Sequence, residues 1–259
     1  MTIEKNKYNL INDGFCFLPK IFSDEETLNA RIGLWDVINC KYETGRKPEN
    51  RFWEPGDNPN SIIKIDKPHI CNKSVWDLVT NKTFGRILAK ETDAKSIQIW
   101  HSQVVWKPHS KGEKGNAGWH RDSQYWPFWT NEGLFTAWIA LSNVSSKSGP
   151  VRFICGSNHW DNVEGMDFFN QNIDSQNKTL NRIHENKKIA SALLKTGEIS
   201  IHSSQTYHSS IGNKENDPRI GMVVHFCTDK AKRIKTKGEN ATYLDQIKNP
   251  SVAPMIYES

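Results

Sequence analysis

Gly118-Trp119-His120-Arg121-Asp122 and Tyr207-His208-Ser209-Ser210 constrain the fold of this chain more than any other segments. In an extended strand residues i and i+2 point to one face, so His120 and Asp122 share a side. His208 lies 88 residues beyond His120, in a second β-rich region, and Arg219 follows 11 residues later. A double-sheet fold is the economical way to bring such distant strands to one mouth.

Working outward, residues 96–107 alternate as a strand does, and further strand signals fall at 134–141, 149–154, 197–202 and 219–227. Residues 8–19, Tyr8 to Pro19, read as a short helix turn and then a strand. Ser23-Asp24-Glu25-Glu26 is a capping box. The helix it opens carries Leu28, Ile32 and Trp35 at i, i+4 and i+7, one apolar stripe. Helical stretches follow at 75–80 and 82–90, and 160–192 reads as loop with helix. Residues 43–68 are rich in Gly, Pro, Asn and charge and read as a long loop of the kind that forms lids, with Arg51, Trp53 and Lys64 as substrate-facing candidates. Short strands in numbers, with helices gathered toward the N-terminus, predict a mainly β fold with flanking helices, a jelly-roll sandwich. The expectation is one domain over 1–259: a helical part to about 95, a core over 96–227 and a tail over 228–259.

Composition sets the outer bounds. A chain of 259 residues with 24% charged residues suits a globular domain. No apolar run approaches a membrane span. Met1-Thr2-Ile3-Glu4-Lys5-Asn6-Lys7 is polar and lacks the apolar core of a signal peptide. Five scattered cysteines without CxxC spacing suit reduced thiols and a cytoplasmic setting. The net charge of +5 is mild, and the one dense basic run, 230–237, reads as solvated surface. Neither a nucleic-acid nor a membrane partner is expected. The oligomeric state stays open between monomer and homodimer.

The residue types carry the chemistry. Two neutral imidazoles and one carboxylate on one face of a metal leave three coordination positions open, the facial triad of non-haem Fe(II) oxygenases. A guanidinium nearby, Arg219, would clamp the far carboxylate of a dicarboxylate co-substrate through a two-pronged, charge-assisted hydrogen bond. His202 and His208 both stand as candidates for the distal position, with a packed or hydrogen-bonded role for the one that is not the ligand. His225 is read as structural. Tyr125 and Trp126, just after the His-x-Asp element, are candidates for the substrate wall.

Several blocks together resemble the phytanoyl-CoA hydroxylase-like family of Fe(II)/2-oxoglutarate dioxygenases. They are Gln103-Val104-Val105-Trp106-Lys107-Pro108, Trp119-His120-Arg121-Asp122-Ser123-Gln124-Tyr125-Trp126, Thr136-Ala137-Trp138 and Gly149-Pro150-Val151-Arg152-Phe153-Ile154. Gly197-Glu198, His208-Ser209-Ser210 and Pro218-Arg219 complete the set in order. Cys155 and Asn158 depart from the family's usual Phe-Ile-Pro-Gly-Ser-His block, and Glu198 from its usual Asp. The resemblance implies a double-stranded β-helix core. It implies His120, Asp122 and His208 as iron ligands and catalytic centre, and Arg219, Gln103, Trp138 and Ser210 around 2-oxoglutarate. It also implies Fe(II), with 2-oxoglutarate and O2 as co-substrates, and oxidation of a C–H bond of a small, polar or anionic metabolite with release of succinate and carbon dioxide. Hydroxylation, dealkylation, desaturation and cyclisation all remain open. Related halogenases put a small residue where Asp122 stands, so its presence argues for oxygenation. The rival readings are a non-catalytic cupin-like binding protein and a Zn(II) or Mn(II) jelly-roll hydrolase or isomerase.

Overall fold

The polar and apolar residues of the central strands sort onto opposite faces, and this alternation builds the molecule. The computed structural model describes residues 7–110 and 115–259; the polar N-terminal heptapeptide lies, but for Lys7, outside them. In chain order the elements are β1 (Phe15–Leu18), α1 (Asp24–Ile38), β2 (Ile63–Asp66), α2 (Lys73–Val79), α3 (Lys82–Thr92), β3 (Ser96–Lys107) and β4 (Ala117–His120). Then come β5 (Leu134–Ala140), β6 (Val151–Ile154), α4 (Ile173–Ile183), β7 (Ile189–Ser191), β8 (Ile199–Ser203), β9 (His208–Ser210), β10 (Arg219–Thr228), α5 (Glu239–Gln246) and β11 (Met255–Glu258).

Two antiparallel sheets result. The larger runs β1-β8-β5-β10-β3-β11, with β2 also paired to β3; the smaller runs β4-β9-β6-β7. This is the expected jelly roll. Strands β1, β2 and β11 lie outside residues 96–227, so the large sheet recruits both the helical N-terminal part and the tail.

On one face of the large sheet Ile99, Val104, Ile139, Ile201, Met222 and Val224 join a core with Leu34, Val37, Phe84 and Leu88 of the helices. On the other, Trp138 and Val223 pack with Phe15 and with Phe153 of the small sheet. The same inner face carries the polar residues that line the cavity between the sheets. A β-bulge in the β3–β10 pairing, between Phe226 and His225, leaves Trp100 unpaired and reverses the parity of β3. Ile97 and Ile99 therefore face the helices, while His101 stacks on His225, with ring centroids 5.5 Å apart.

Two expectations need correction. The capping box is present, with Ser23 Oγ accepting from Glu26 N and Glu26 Oε2 from Ser23 N. However, Leu28, Ile32 and Trp35 are 47%, 54% and 49% exposed, and α1 buries Thr27, Ala30, Leu34 and Val37 instead. A second stripe, Ala30, Leu34 and Val37, takes the inner face, where α2 comes close: a Cβ on Gly33 would collide with the Asn72 side chain. Residues 43–68 are also not all loop, since β2 and the Arg51–Ile65 bridge lie within them.

Candidate active site

The small sheet supplies both imidazoles. His120 closes β4, His208 opens β9, and the two are register partners. Asp122 is not on the strand with His120, as simple alternation suggested, but opens a 3-10 turn running to Tyr125. Arg121 between them keeps an extended backbone (φ −108°, ψ 139°), so the carboxylate still turns to the side of His120.

The three side chains place one ligand atom each within 4.8 Å of one another. His120 Nε2 and His208 Nε2 stand 3.8 and 3.7 Å from Asp122 Oδ1. Their Nδ1 atoms lie 2.7 and 3.0 Å from the carbonyls of Gly118 and Thr206. A carbonyl only accepts, so Nδ1 carries the proton and the Nε2 lone pair faces the cavity. Burial pushes both imidazoles below their ordinary pKa, which keeps them neutral. Burial alone would raise Asp122, but His208, His202 and His225 around it hold the carboxyl well below its usual range.

The other carboxylate oxygen is occupied. Asp122 Oδ2 accepts from Thr136 Oγ1 at 2.6 Å and from His202 Nε2 at 3.1 Å. Because the Thr136 hydroxyl donates to Asp122, it accepts from His225 Nδ1 at 2.8 Å. His202 thus hydrogen-bonds the carboxylate from behind, and His225 orients the threonine that does the same.

Arg219 opens β10 opposite Lys107 of β3. Both are 1% exposed and line the same cavity of about 220 Å3 as the triad. Lys107 Nζ donates to Ser210 Oγ at 2.6 Å and to the Ile211 carbonyl at 3.0 Å. Arg219 Nη1 donates to the Gly149 carbonyl at 3.0 Å, while its Nε has no partner. Among the described residues neither cation has a carboxylate in ion-pair range. Burial lowers Arg219 to about 9, and burial with Arg219 and Arg152 pushes Lys107 well down. Two dehydrated cations without a counter-ion form a receptor for an anion. Trp138 lies under the guanidinium, 5.1 Å from ring centroid to Cζ. Only a glycine at 221 permits this, because a Cβ there would collide with the indole.

Of the remaining sequence candidates, Gln103, Tyr125, Trp126 and Lys64 line the cavity as well. Gln103 approaches His101 Nε2 at 3.3 Å. Trp126 sets its edge on His225, centroids 4.9 Å apart. Tyr125 OH donates to Asp167 Oδ1 at 2.7 Å and accepts from Phe168 N at 2.8 Å, fixing the loop that carries Phe168 and Phe169 into the cavity. Arg51 and Trp53 are not brought there. Arg51 donates to the carbonyls of Val37 and Ile38 at the end of α1, and Trp53 Nε1 donates to Asn58 O. The long charged side chain serves the helix C-terminus, whose carbonyls lack intrahelical donors. Sequence reasoning gave no role to Lys107, Thr136 or Phe168. Lys107 stands within a block that was already suggestive, whereas Phe168 comes from a loop with no periodic signal.

A jelly roll with two imidazoles and a carboxylate at one mouth, beside a buried cationic pole, is the architecture of the 2-oxoglutarate-dependent non-haem iron oxygenases. Within that class the chain belongs to the phytanoyl-CoA dioxygenase (PhyH) family, whose model matches residues 12–221. It is 21% identical over 154 residues to the human peroxisomal phytanoyl-CoA dioxygenase, covering 58% of this chain and 45% of that one, so the match spans less than half the relative's length. It is 22% identical over 230 residues to the ectoine dioxygenase of Bordetella bronchiseptica, covering 83% of this chain and 71% of the relative. Among solved structures, the carbocyclase SnoK from nogalamycin biosynthesis superposes with a TM-score of 0.72 at 16% identity, covering 95% and 90% of the two chains. EctD from S. alaskensis, solved with 2-oxoglutarate and 5-hydroxyectoine, gives 0.65 at 18%, covering 88% and 78%. Among the described residues no helix is long and apolar enough to cross a membrane.

Proposed function

We propose that this chain is an Fe(II)/2-oxoglutarate-dependent oxygenase that oxidises a C–H bond of a small metabolite. The observation that carries this reading is the pairing, in one cavity, of the His120–Asp122–His208 cluster with the unneutralised Lys107–Arg219 pole. Two neutral nitrogens and one anionic oxygen suit Fe(II), and the unpartnered Arg219 Nε suits a carboxylate. His120, Asp122 and His208 would hold the metal. Arg219, Lys107 and Ser210 would bind the distal carboxylate of 2-oxoglutarate, with Trp138 and Gln103 along its length. Iron bound there would couple decarboxylation of 2-oxoglutarate by O2 to oxidation of the substrate, giving succinate and carbon dioxide.

The chain's own residues do the positioning. Gly118 and Thr206 carbonyls fix the imidazole tautomers, Thr136 and His202 fix the carboxylate, and Phe168 and Trp126 give the cavity apolar wall. Which outcome follows, hydroxylation, dealkylation, desaturation or cyclisation, depends on where a substrate carbon is held. A cupin-like binder would leave the Lys107–Arg219 pole without a role. The test is a small-metabolite screen coupled to succinate release: substrate-dependent succinate from the native chain, and none from Asp122→Ala, is expected. Metal binding with no succinate under any condition would favour the binder.

A further inference from the structure

Lys64 lies on β2 opposite Val105 of β3. It stands where the cavity above the triad meets a second one of about 390 Å3, and Ile62, Phe168 and Phe169 line both with it. Its ammonium sits 4.4 Å from the ring centroid of Phe52 and 5.2 Å from that of Phe168. Phe168 in turn sets its edge on the His120 ring, centroids 5.1 Å apart at 88°. Among the described residues no carboxylate comes within 4.0 Å of Lys64 Nζ, and no hydrogen bond reaches it. Lys67, three residues on, shows the contrast, with Glu49 at 2.9 Å and Gln246 at 3.2 Å.

Two rings hold a cation in place without neutralising it. Burial lowers the Lys64 pKa, and Asp66 and Asp122 act against that from farther off. The charges bearing on Lys107 are Arg219 and Arg152 instead. The cavity therefore has two cationic poles. One is buried and double; the other is single, half-buried and at the junction of the two cavities.

We propose that Lys64 receives a carboxylate of the primary substrate, whose carbon skeleton lies along Phe168, Phe169 and Tyr125 toward the triad. One ammonium matches one monoanion, and the rings suit an apolar skeleton, so the substrate is an amphiphilic monocarboxylic acid oxidised at a carbon remote from its carboxylate. This rests on the oxygenase reading above for the identity of the other pole.

The test titrates straight-chain and aryl-substituted monocarboxylic acids, each paired with its methyl ester, into the protein loaded with Mn(II) and 2-oxoglutarate, by calorimetry. At least one acid should bind the native chain about tenfold or more tightly than its ester, equivalent to ~1.4 kcal/mol. Lys64→Met should remove that preference and Lys64→Arg should keep it, with 2-oxoglutarate affinity unchanged in both. Acids and esters binding alike, neither binding, or an undiminished preference in Lys64→Met would overturn the proposal. So would loss of 2-oxoglutarate binding in Lys64→Met, which would assign Lys64 to the co-substrate. Failure of the native chain to bind 2-oxoglutarate would instead strike the oxygenase reading, and the acid–ester comparison can still be made on the metal-free protein.

Discussion

His120 and His208 face each other across β4 and β9 with ring centroids 4.0 Å apart, and each donates Nδ1–H to the carbonyl two residues before it. The same local clamp, made once on each strand, aims two Nε2 lone pairs at one point beside Asp122 Oδ1. The site is thus set by backbone geometry in the small sheet, and the large sheet supplies the groups that steady the carboxylate.

That division separates ligands from supports. If His120 and His208 are ligands as proposed, His120→Ala or His208→Ala should abolish Fe(II) binding in anaerobic equilibrium dialysis. His202→Ala removes only a hydrogen bond to Asp122 Oδ2 and should weaken iron by roughly 10- to 100-fold. The reverse ranking would make His202 the distal ligand.

Thr136 joins Asp122 to His225. Thr136→Val keeps the shape and strands a buried imidazole N–H, so thermal unfolding should show a loss of about 1–3 kcal/mol. Iron affinity should fall with it. Unchanged affinity would mean that Asp122 is held by His202 alone.

At the buried cationic pole, Arg219→Ala should raise the 2-oxoglutarate requirement strongly, and Arg219→Lys should restore little, because lysine lacks the two-pronged geometry. Lys107→Met replaces a dehydrated cation by a side chain of similar shape. Its melting temperature should hold or rise, while half-saturation by 2-oxoglutarate should rise about tenfold or more. A destabilised variant with normal 2-oxoglutarate binding would make Lys107 purely structural.

Acid should destabilise the metal-free protein well above the carboxylate range. His69, wedged between Ser102 Oγ and the Val252 carbonyl, and His225 are both pushed down to about 3 by burial. Unfolded, each takes up a proton near pH 6.5. Between those values the unfolded chain binds more protons than the folded one, so stability falls as pH drops from about 6.5 toward 3. Melting temperatures across that range should decline, and less steeply in His69→Gln, measured relative to its own value at pH 7.5.

Much of this was legible in the sequence, and the failures have physical causes. Strand β3 was readable to its ends because its alternation is long, but the bulge at Trp100 that turns His101 inward leaves no mark on composition. The α1 stripe misled because the helix carries a second one, Ala30, Leu34 and Val37, and the close approach of α2 at Gly33, a tertiary contact that helical periodicity does not record, lies on the side of the second. His120, Asp122, His208 and Arg219 were readable as a set because their chemistry is distinctive and their order fixed. Lys107 and Thr136 were not singled out, since a lysine or threonine in a strand usually faces solvent and only the folded cavity shows them inside. Arg51 stands among the lid candidates in the sequence because a charged loop residue gives no hint that helix-end carbonyls await it.

The most direct measurement is anaerobic: add one equivalent of Fe(II), then 2-oxoglutarate, and record the visible spectrum. A weak charge-transfer band that grows with both additions, disappears in Asp122→Ala and needs far more 2-oxoglutarate in Arg219→Ala is expected. Tight Fe(II) binding with no such band in the native chain, or a band unchanged in Asp122→Ala, would contradict a shared site for metal and 2-oxo acid.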